Sequence, residues 1–101
     1  MSAAKNRAQQ LINDNAVVVF SKSYCPYCDS SKKLLDGLSA KYTTLELDLE
    51  EEGSAIQAAL AEISGQRTVP NIFIQQKHIG GNSDLQAKSD LKELLQQAGA
   101  V

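Results

Sequence analysis

The chain has no tryptophan, and only two cysteines, two prolines, one histidine and one methionine in 101 residues. Two Cys and one distant His fall short of the four ligands that a structural zinc site takes, so the cysteine pair does not read as half of an internal zinc centre. A disulfide between cysteines so close in sequence would constrain the unfolded chain very little, so a purely structural staple does not fit either. No apolar run approaches the roughly 18 residues of a membrane span. Residues 1–15 lack the apolar core of a signal peptide and the Arg-rich, acid-free character of a transit peptide. The expected location is therefore cytoplasmic, and in a reducing compartment two neighbouring cysteines point to catalysis. A net charge of −2 offers nothing that favours nucleic acid.

What remains is ordinary for one globular domain spanning 1–101, with 43% apolar and 22% charged residues. There are no repeats, linkers or low-complexity segments. Charge is uneven. Residues 1–41 carry six Lys/Arg against three acids, and residues 42–101 carry four against nine. The acidic cluster of Glu46, Asp48, Glu50, Glu51 and Glu52 reads as a solvated strand end and loop.

Both cysteines lie in Ser23-Tyr24-Cys25-Pro26-Tyr27-Cys28. A C-x-x-C pair that follows an apolar run and opens a helical pattern reads as a thioredoxin-like redox motif. Pro26 suits the first helical position, where its missing N–H is not needed. That places Cys25 at the N-cap, facing unpaired amides and the positive end of the helix dipole, where a thiolate is stabilised. Cys28 falls one turn into the helix. The expectation is an exposed nucleophile, Cys25, and a more sheltered resolving thiol, Cys28.

Along the chain, Ala4, Ala8, Leu11 and Ile12 have helical spacing over 3–14, with Ser2 as cap. Residues 16–20 form a β-branched apolar run, read as a central strand buried on both faces. A helix is expected from Pro26 to Ala40, with Leu34, Leu35 and Leu38 inward. Tyr42 to Leu49 alternates, with Leu45, Leu47 and Leu49 on one side, and reads as a strand parallel to the first. Ser54-Ala55-Ile56-Gln57 reads as a capping box for a helix that buries Ile56, Ala59, Leu60 and Ile63 and ends at Gly65. Residues 71–74 and His78-Ile79 read as an antiparallel hairpin around Gln75-Gln76-Lys77. Ser83 to Gln86 reads as a second capping box. Ser89-Asp90 opens a last helix with Leu91, Leu94, Leu95 and Ala98 inward. The order α-βαβ-α-ββ-α implies an α/β fold: a four-stranded mixed sheet, order 2-1-3-4, with helices on both faces.

Three motifs in order resemble the glutaredoxin family nearly end to end. They are Lys22 to Cys28, then Thr68-Val69-Pro70, then Gly80-Gly81 followed by Asn82-Ser83-Asp84. The C-P-Y-C form resembles the dithiol class, and the overall look is that of fungal and other eukaryotic cytosolic members. The resemblance implies a thioredoxin fold, a cis Val69-Pro70 bond, and glutathione as reductant and substrate. It makes Cys25 the nucleophile and Cys28 the resolving thiol. It places glutathione against Lys22, Tyr27, Gln66, Thr68, Val69, Pro70, Gly81, Asn82, Ser83 and Asp84. Lys22 and Gln66 would meet the glycine carboxylate. The Val69 backbone would meet the cysteinyl part. Ser83, taken as a helix cap, and Asp84 would hold the γ-glutamyl end, with Asp84 answering its ammonium. The family often has a third cysteine where Asn82 stands. Each residue also has a plain reading: Lys22 as a solvated lysine, Asp84 as a first-turn acid, Gln66 and Arg67 as loop residues, Tyr27 as packing, His78 as a hairpin surface residue.

The expected activity is glutathione-dependent thiol–disulfide exchange on protein–glutathione mixed disulfides and on protein disulfides. The expected partners are those proteins and glutathione, with NADPH and glutathione reductase upstream. Neither a metal, a membrane nor nucleic acid is expected, and the chain is expected to be a monomer. Two rivals remain: a dimer bridging a [2Fe–2S] cluster through Cys25 of each copy and two glutathiones, against which Pro26 argues, and a thioredoxin-like reductase fed by a flavoprotein, against which Lys22, Ser83 and Asp84 argue.

Overall fold

A computed structural model describes residues 2–101. The elements run α1 Ala3–Asp14, β1 Val17–Ser21, α2 Pro26–Gly37, β2 Thr43–Glu46, α3 Gly53–Ser64, β3 Asn71–Ile74, β4 Lys77–Gly80, α4 Asn82–Gln86 and α5 Leu91–Gln97. The sheet order is β2-β1-β3-β4. β1 pairs parallel with β2 and antiparallel with β3, and β3 pairs antiparallel with β4. This is the four-stranded mixed sheet that the element order implies. Among the described residues, no helix is long and apolar enough to cross a membrane.

The pleat divides the apolar run of β1 between two cores, because successive side chains point to opposite faces. Val18 and Phe20 join Phe73, Ala8, Ile12, Ile56 and Leu60 beneath α1 and α3. Val17 and Val19 join Ile72, Ile74, Leu35, Leu85 and Leu95 beneath α2, α4 and α5. Every residue of β1 is buried, as expected of a central strand. Ser21 closes the strand on the α2 side and leads directly into the cysteine loop.

Several boundaries differ from the sequence reading. α2 stops at Gly37, not at Ala40, because Ser39 takes a left-handed conformation with φ 59°. The Ala40 amide donates to Leu35 O at 2.9 Å and the Ser39 amide to Asp36 O at 2.9 Å, which is the Schellman pattern of helix termination. Leu34 and Leu38 are only half-buried. β2 is four residues long, and Leu49 is 71% exposed instead of sharing a face with Leu45 and Leu47. The chain turns after Glu46, where the Leu49 amide donates to Glu46 O at 3.1 Å, and the alternation ends there.

The two expected capping boxes do not form at Ser54 and Ser83. α3 begins at Gly53 with no side-chain cap. A Cβ on Gly53 would overlap the Leu47 carbonyl, so the helix start is fixed by a close backbone approach rather than by a serine. α4 begins at Asn82 with Gly81 as its cap, and Asp84 Oδ2 accepts from the Gly81 amide at 2.9 Å. The hairpin turn is Gln75-Gln76 alone, both at positive φ, and Lys77 belongs to β4.

Candidate active site

The cysteine loop is tied at both ends. The Cys25 amide donates to Lys22 O at 3.1 Å. Both the amide and the hydroxyl of Ser23 donate to the Asp48 carboxylate beyond β2. The Ser23 hydroxyl, then its amide and the Lys22 charge, hold the Asp48 carboxyl below its usual range. Pro26 opens α2 and Cys25 is the N-cap, as the sequence implies. Cys25 Sγ accepts from the Cys28 amide at 3.2 Å, so an amide left free by the helix start points at the sulfur.

The two thiols are free and differ in access. Cys25 is 9% exposed and Cys28 is 0% exposed. Burial, and next a hydrogen bond with Cys25, push the Cys28 thiol up to about 11. Cys25 is thus the thiol that can meet a partner, although it is less open than the sequence suggests. Tyr24 and Tyr27 flank it at 71% and 68% exposure.

Opposite Cys25 runs the Thr68-Val69-Pro70 turn, whose Val69-Pro70 bond is cis. Val69 O lies 4.0 Å from Cys25 Sγ. Gln66 clasps this turn: its Nε2 donates to Thr68 O at 3.0 Å and to Pro70 O at 2.9 Å. Asn71 anchors the clasp from β3. Its Nδ2 donates to Ser64 Oγ and to Gln66 O, each at 3.2 Å. With both Asn71 hydrogens committed, its Oδ1 accepts from His78 Nε2 at 3.0 Å. Burial holds the His78 imidazole below its ordinary value, against a smaller upward pull from Asp84. His78 is the exposed hairpin residue that the sequence suggests, and its ring also supports Asn71. The sequence signal for this network was a polar Asn opening an otherwise apolar strand.

The groove beside Cys25 has a volume of about 560 Å³ and is lined by Tyr27, Gln66, Thr68, Val69, Pro70, Gly81, Asn82, Ser83 and Asp84. These are nine of the ten glutathione contacts that the resemblance implies. Lys22 does not line it, and its charge acts on Asp48. Gln66 lines the groove with both amide hydrogens already donated to carbonyls, which leaves none for a carboxylate. Ser83 lies inside α4 rather than at its cap. α4 is fixed against α2 because Ser31 Oγ, which is buried, donates to Asn82 Oδ1 at 2.9 Å. That contact sets Ser83 and Asp84 at a defined place relative to Cys25.

A family model described as glutaredoxin matches residues 17–79. The chain belongs to the glutaredoxin family. It is 59% identical over 101 residues to a glutaredoxin of Ricinus communis, covering 97% of this chain and 99% of that one. Glutaredoxin-C2 of Arabidopsis thaliana is 52% identical, with 97% of this chain and 91% of that one covered. These are plant proteins, which corrects the fungal look of the sequence; a fungal relative from Rhizophagus irregularis is 46% identical. Among solved structures, a buckwheat glutaredoxin–glutathione complex superposes with a TM-score of 0.95 at 53% identity, covering 97% of this chain and 92% of that one. The holo form of glutaredoxin C1 from Populus tremula x tremuloides gives 0.93 at 45% identity, covering 96% and 99%. This glutaredoxin is accordingly a thiol–disulfide oxidoreductase that depends on glutathione, with the C-x-x-C pair of a dithiol member.

Proposed function

We propose that this glutaredoxin reduces protein–glutathione mixed disulfides with Cys25 alone and protein disulfides with Cys25 and Cys28 together. The observation that carries this reading is the unequal pair: one sulfur at a helix N-cap on the rim of a groove, the other buried one turn inside. In the first route the Cys25 thiolate attacks the glutathione sulfur, and the protein leaves as a thiol. A second glutathione then attacks the Cys25–glutathione disulfide, giving oxidised glutathione and free Cys25. In the second route Cys28 attacks the mixed disulfide on Cys25, and glutathione later reduces the enzyme's own disulfide.

A relative whose structure is a glutathione complex supports placing glutathione in the groove. Its cysteinyl part would lie along the Val69 backbone, next to Cys25 Sγ. Asp84 has one oxygen on the Gly81 amide and the other available to the γ-glutamyl ammonium, beside the Ser83 hydroxyl. With the Gln66 hydrogens committed, a cation has to answer the glycine carboxylate. Lys22, three residues before Cys25, is the residue we assign to it. Electrons would come from NADPH through glutathione reductase, and the chain would act as a monomer in the cytoplasm. The proposed place of this activity is electron transport for cell redox homeostasis.

The test is NADPH oxidation in a coupled assay with glutathione, glutathione reductase and a small glutathione mixed disulfide. Turnover that saturates with the mixed disulfide is expected. A folded protein without turnover would refute the proposal.

A further inference from the structure

β3 opens on an asparagine that is 1% exposed, although the other three residues of the strand are apolar. A buried amide is stable only where its donors and its acceptor are all met. Asn71 meets them with two separate parts of the chain. Its Nδ2 donates to Ser64 Oγ and to Gln66 O, and its Oδ1 faces His78 Nε2 across the hairpin at 3.0 Å. Ser64 Oγ also accepts from the Gln66 amide at 3.1 Å, so the Gln66 backbone is held at both its N–H and its C=O. From that fixed backbone the Gln66 side chain reaches the carbonyls of Thr68 and Pro70, the residues on either side of Val69. A chain of hydrogen bonds thus runs from His78 on β4 to the turn that faces Cys25.

The orientation of the Asn71 amide decides whether that chain holds. Turned end for end, the amide would set its oxygen against Gln66 O, two acceptors face to face. The donor on Oδ1 is what fixes the right orientation, and His78 supplies it. The imidazole is seated for this by Phe73, its register partner across the hairpin, with ring centroids 5.2 Å apart. We infer that His78 is a positioning residue for glutathione recognition: its N–H fixes the Asn71 amide, and Asn71 through Gln66 holds the Thr68-Val69-Pro70 turn for the cysteinyl part of glutathione. His78 thereby sets the preference for glutathione disulfides over other disulfides. This rests on the glutathione site proposed above.

Two consequences separate this role from general support of the fold. The turn orients the glutathione moiety and moves neither electrons nor protons, so loosening it weakens recognition and leaves the reactivity of Cys25 itself intact. The role also needs an N–H at one place, and neither a ring nor a charge can replace it. That distinguishes it from an effect of His78 on Asp84, whose carboxylate the imidazole also feels.

The test mixes reduced protein with oxidised glutathione and, separately, with hydroxyethyl disulfide, which has no peptide to recognise. Acid quenching and mass spectrometry give the two rates, measured at about pH 8, where an imidazole is neutral. His78→Phe keeps a ring on Phe73 and removes the donor. It should slow the reaction with oxidised glutathione by about fivefold or more, the order expected when a buried acceptor loses its donor, and leave hydroxyethyl disulfide and alkylation by iodoacetamide within about twofold. His78→Gln carries an amide N–H at about the same reach and should recover most of the loss. In a Gln66→Ala background, where the clasp is already gone, His78→Phe should add nothing. An unchanged rate with oxidised glutathione in folded His78→Phe overturns the inference, and so does equal slowing on both disulfides. A His78→Gln as slow as His78→Phe, or an undiminished effect of His78→Phe on top of Gln66→Ala, overturns it as well. Unaltered protein that reacts no faster with oxidised glutathione than with hydroxyethyl disulfide would instead overturn the glutathione site itself.

Discussion

Cys25 and Cys28 are one helical turn apart, yet only one of them can react first. The difference comes from position alone: the N-cap sulfur receives an amide hydrogen at the rim, and the next-turn sulfur is sealed against β1. Cys25→Ser should therefore abolish turnover on every disulfide, because a serine hydroxyl is not ionised at neutral pH. Cys28→Ser should keep turnover on a glutathione mixed disulfide, and should run faster if the internal disulfide is a detour, while losing most reduction of protein disulfides. The coupled assay run on both substrate types checks this, and a folded Cys28→Ser that is dead on the glutathione substrate would reverse the roles. Asp84 presents a second separation of roles, since it both caps α4 and faces the groove. Asp84→Asn retains an acceptor for the Gly81 amide but loses the charge. It should raise KM for glutathione substrates several-fold, as expected from an exposed charge contact of about 1 kcal/mol, with little change in Tm. Asp84→Ala should raise KM similarly and also lower stability by about 1 kcal/mol, the usual worth of a cap. A KM unchanged in both variants would remove Asp84 from the glutathione site.

At the scale of elements, the apolar periods placed every strand and every helix except the short α4, which a capping motif marked but the element order left out, and the motifs located the groove. What they could not place were the ends. The serine-led capping boxes looked sufficient for α3 and α4, but the chain begins both helices at or just after a glycine. At Gly53 the reason is the Leu47 carbonyl, 6 residues earlier in sequence and invisible to a local pattern. The over-long β2 had the same origin, since Leu49 keeps the alternation while the backbone has already turned. The clasp from His78 through Asn71 to Gln66 was illegible for the same reason: its members come from β4, β3 and the loop before β3. Two stability tests belong here. Gly53→Ala forces a Cβ into backbone and should cost about 1–3 kcal/mol or more in a urea titration. Ser39→Gly relieves a left-handed serine at the end of α2 and should gain about 1 kcal/mol or less, the left-handed penalty reduced by the greater entropy of an unfolded glycine. Loss of stability in Ser39→Gly would contradict the reading of that helix stop.

At the scale of the molecule, one sheet carries two cores and the active site sits where β1 leaves both. The arrangement puts the resolving cysteine under the same cover that stabilises the fold, so its chemistry and the stability of the whole chain are linked. The folded chain holds the Cys28 proton to about 11, against an ordinary thiol value of 9.0. Between those two values the unfolded chain has released a proton that the folded chain still holds. The unfolded state binds fewer protons there, so stability falls as pH rises, and the fall levels off once Cys28 also ionises in the folded state. Each unit of difference corresponds to about 1.4 kcal/mol. Tyr42 adds to the same trend at higher pH: partial burial, then its hydrogen bond to Asp36, push it up to about 12 from 10.0. Its contribution is smaller than the shift implies, because its hydroxyl meets Asp36 at the exposed surface, where water screens the interaction. Urea unfolding of the reduced protein at a series of pH values should show a plateau near neutrality and a decline of about 1–3 kcal/mol from pH 9 towards 11. Cys28→Ser has no thiol to ionise and should lose most of the decline in that window, keeping only the later fall due to Tyr42. A decline of equal size in Cys28→Ser would mean that the alkaline limit of this fold is set elsewhere than at the buried thiol.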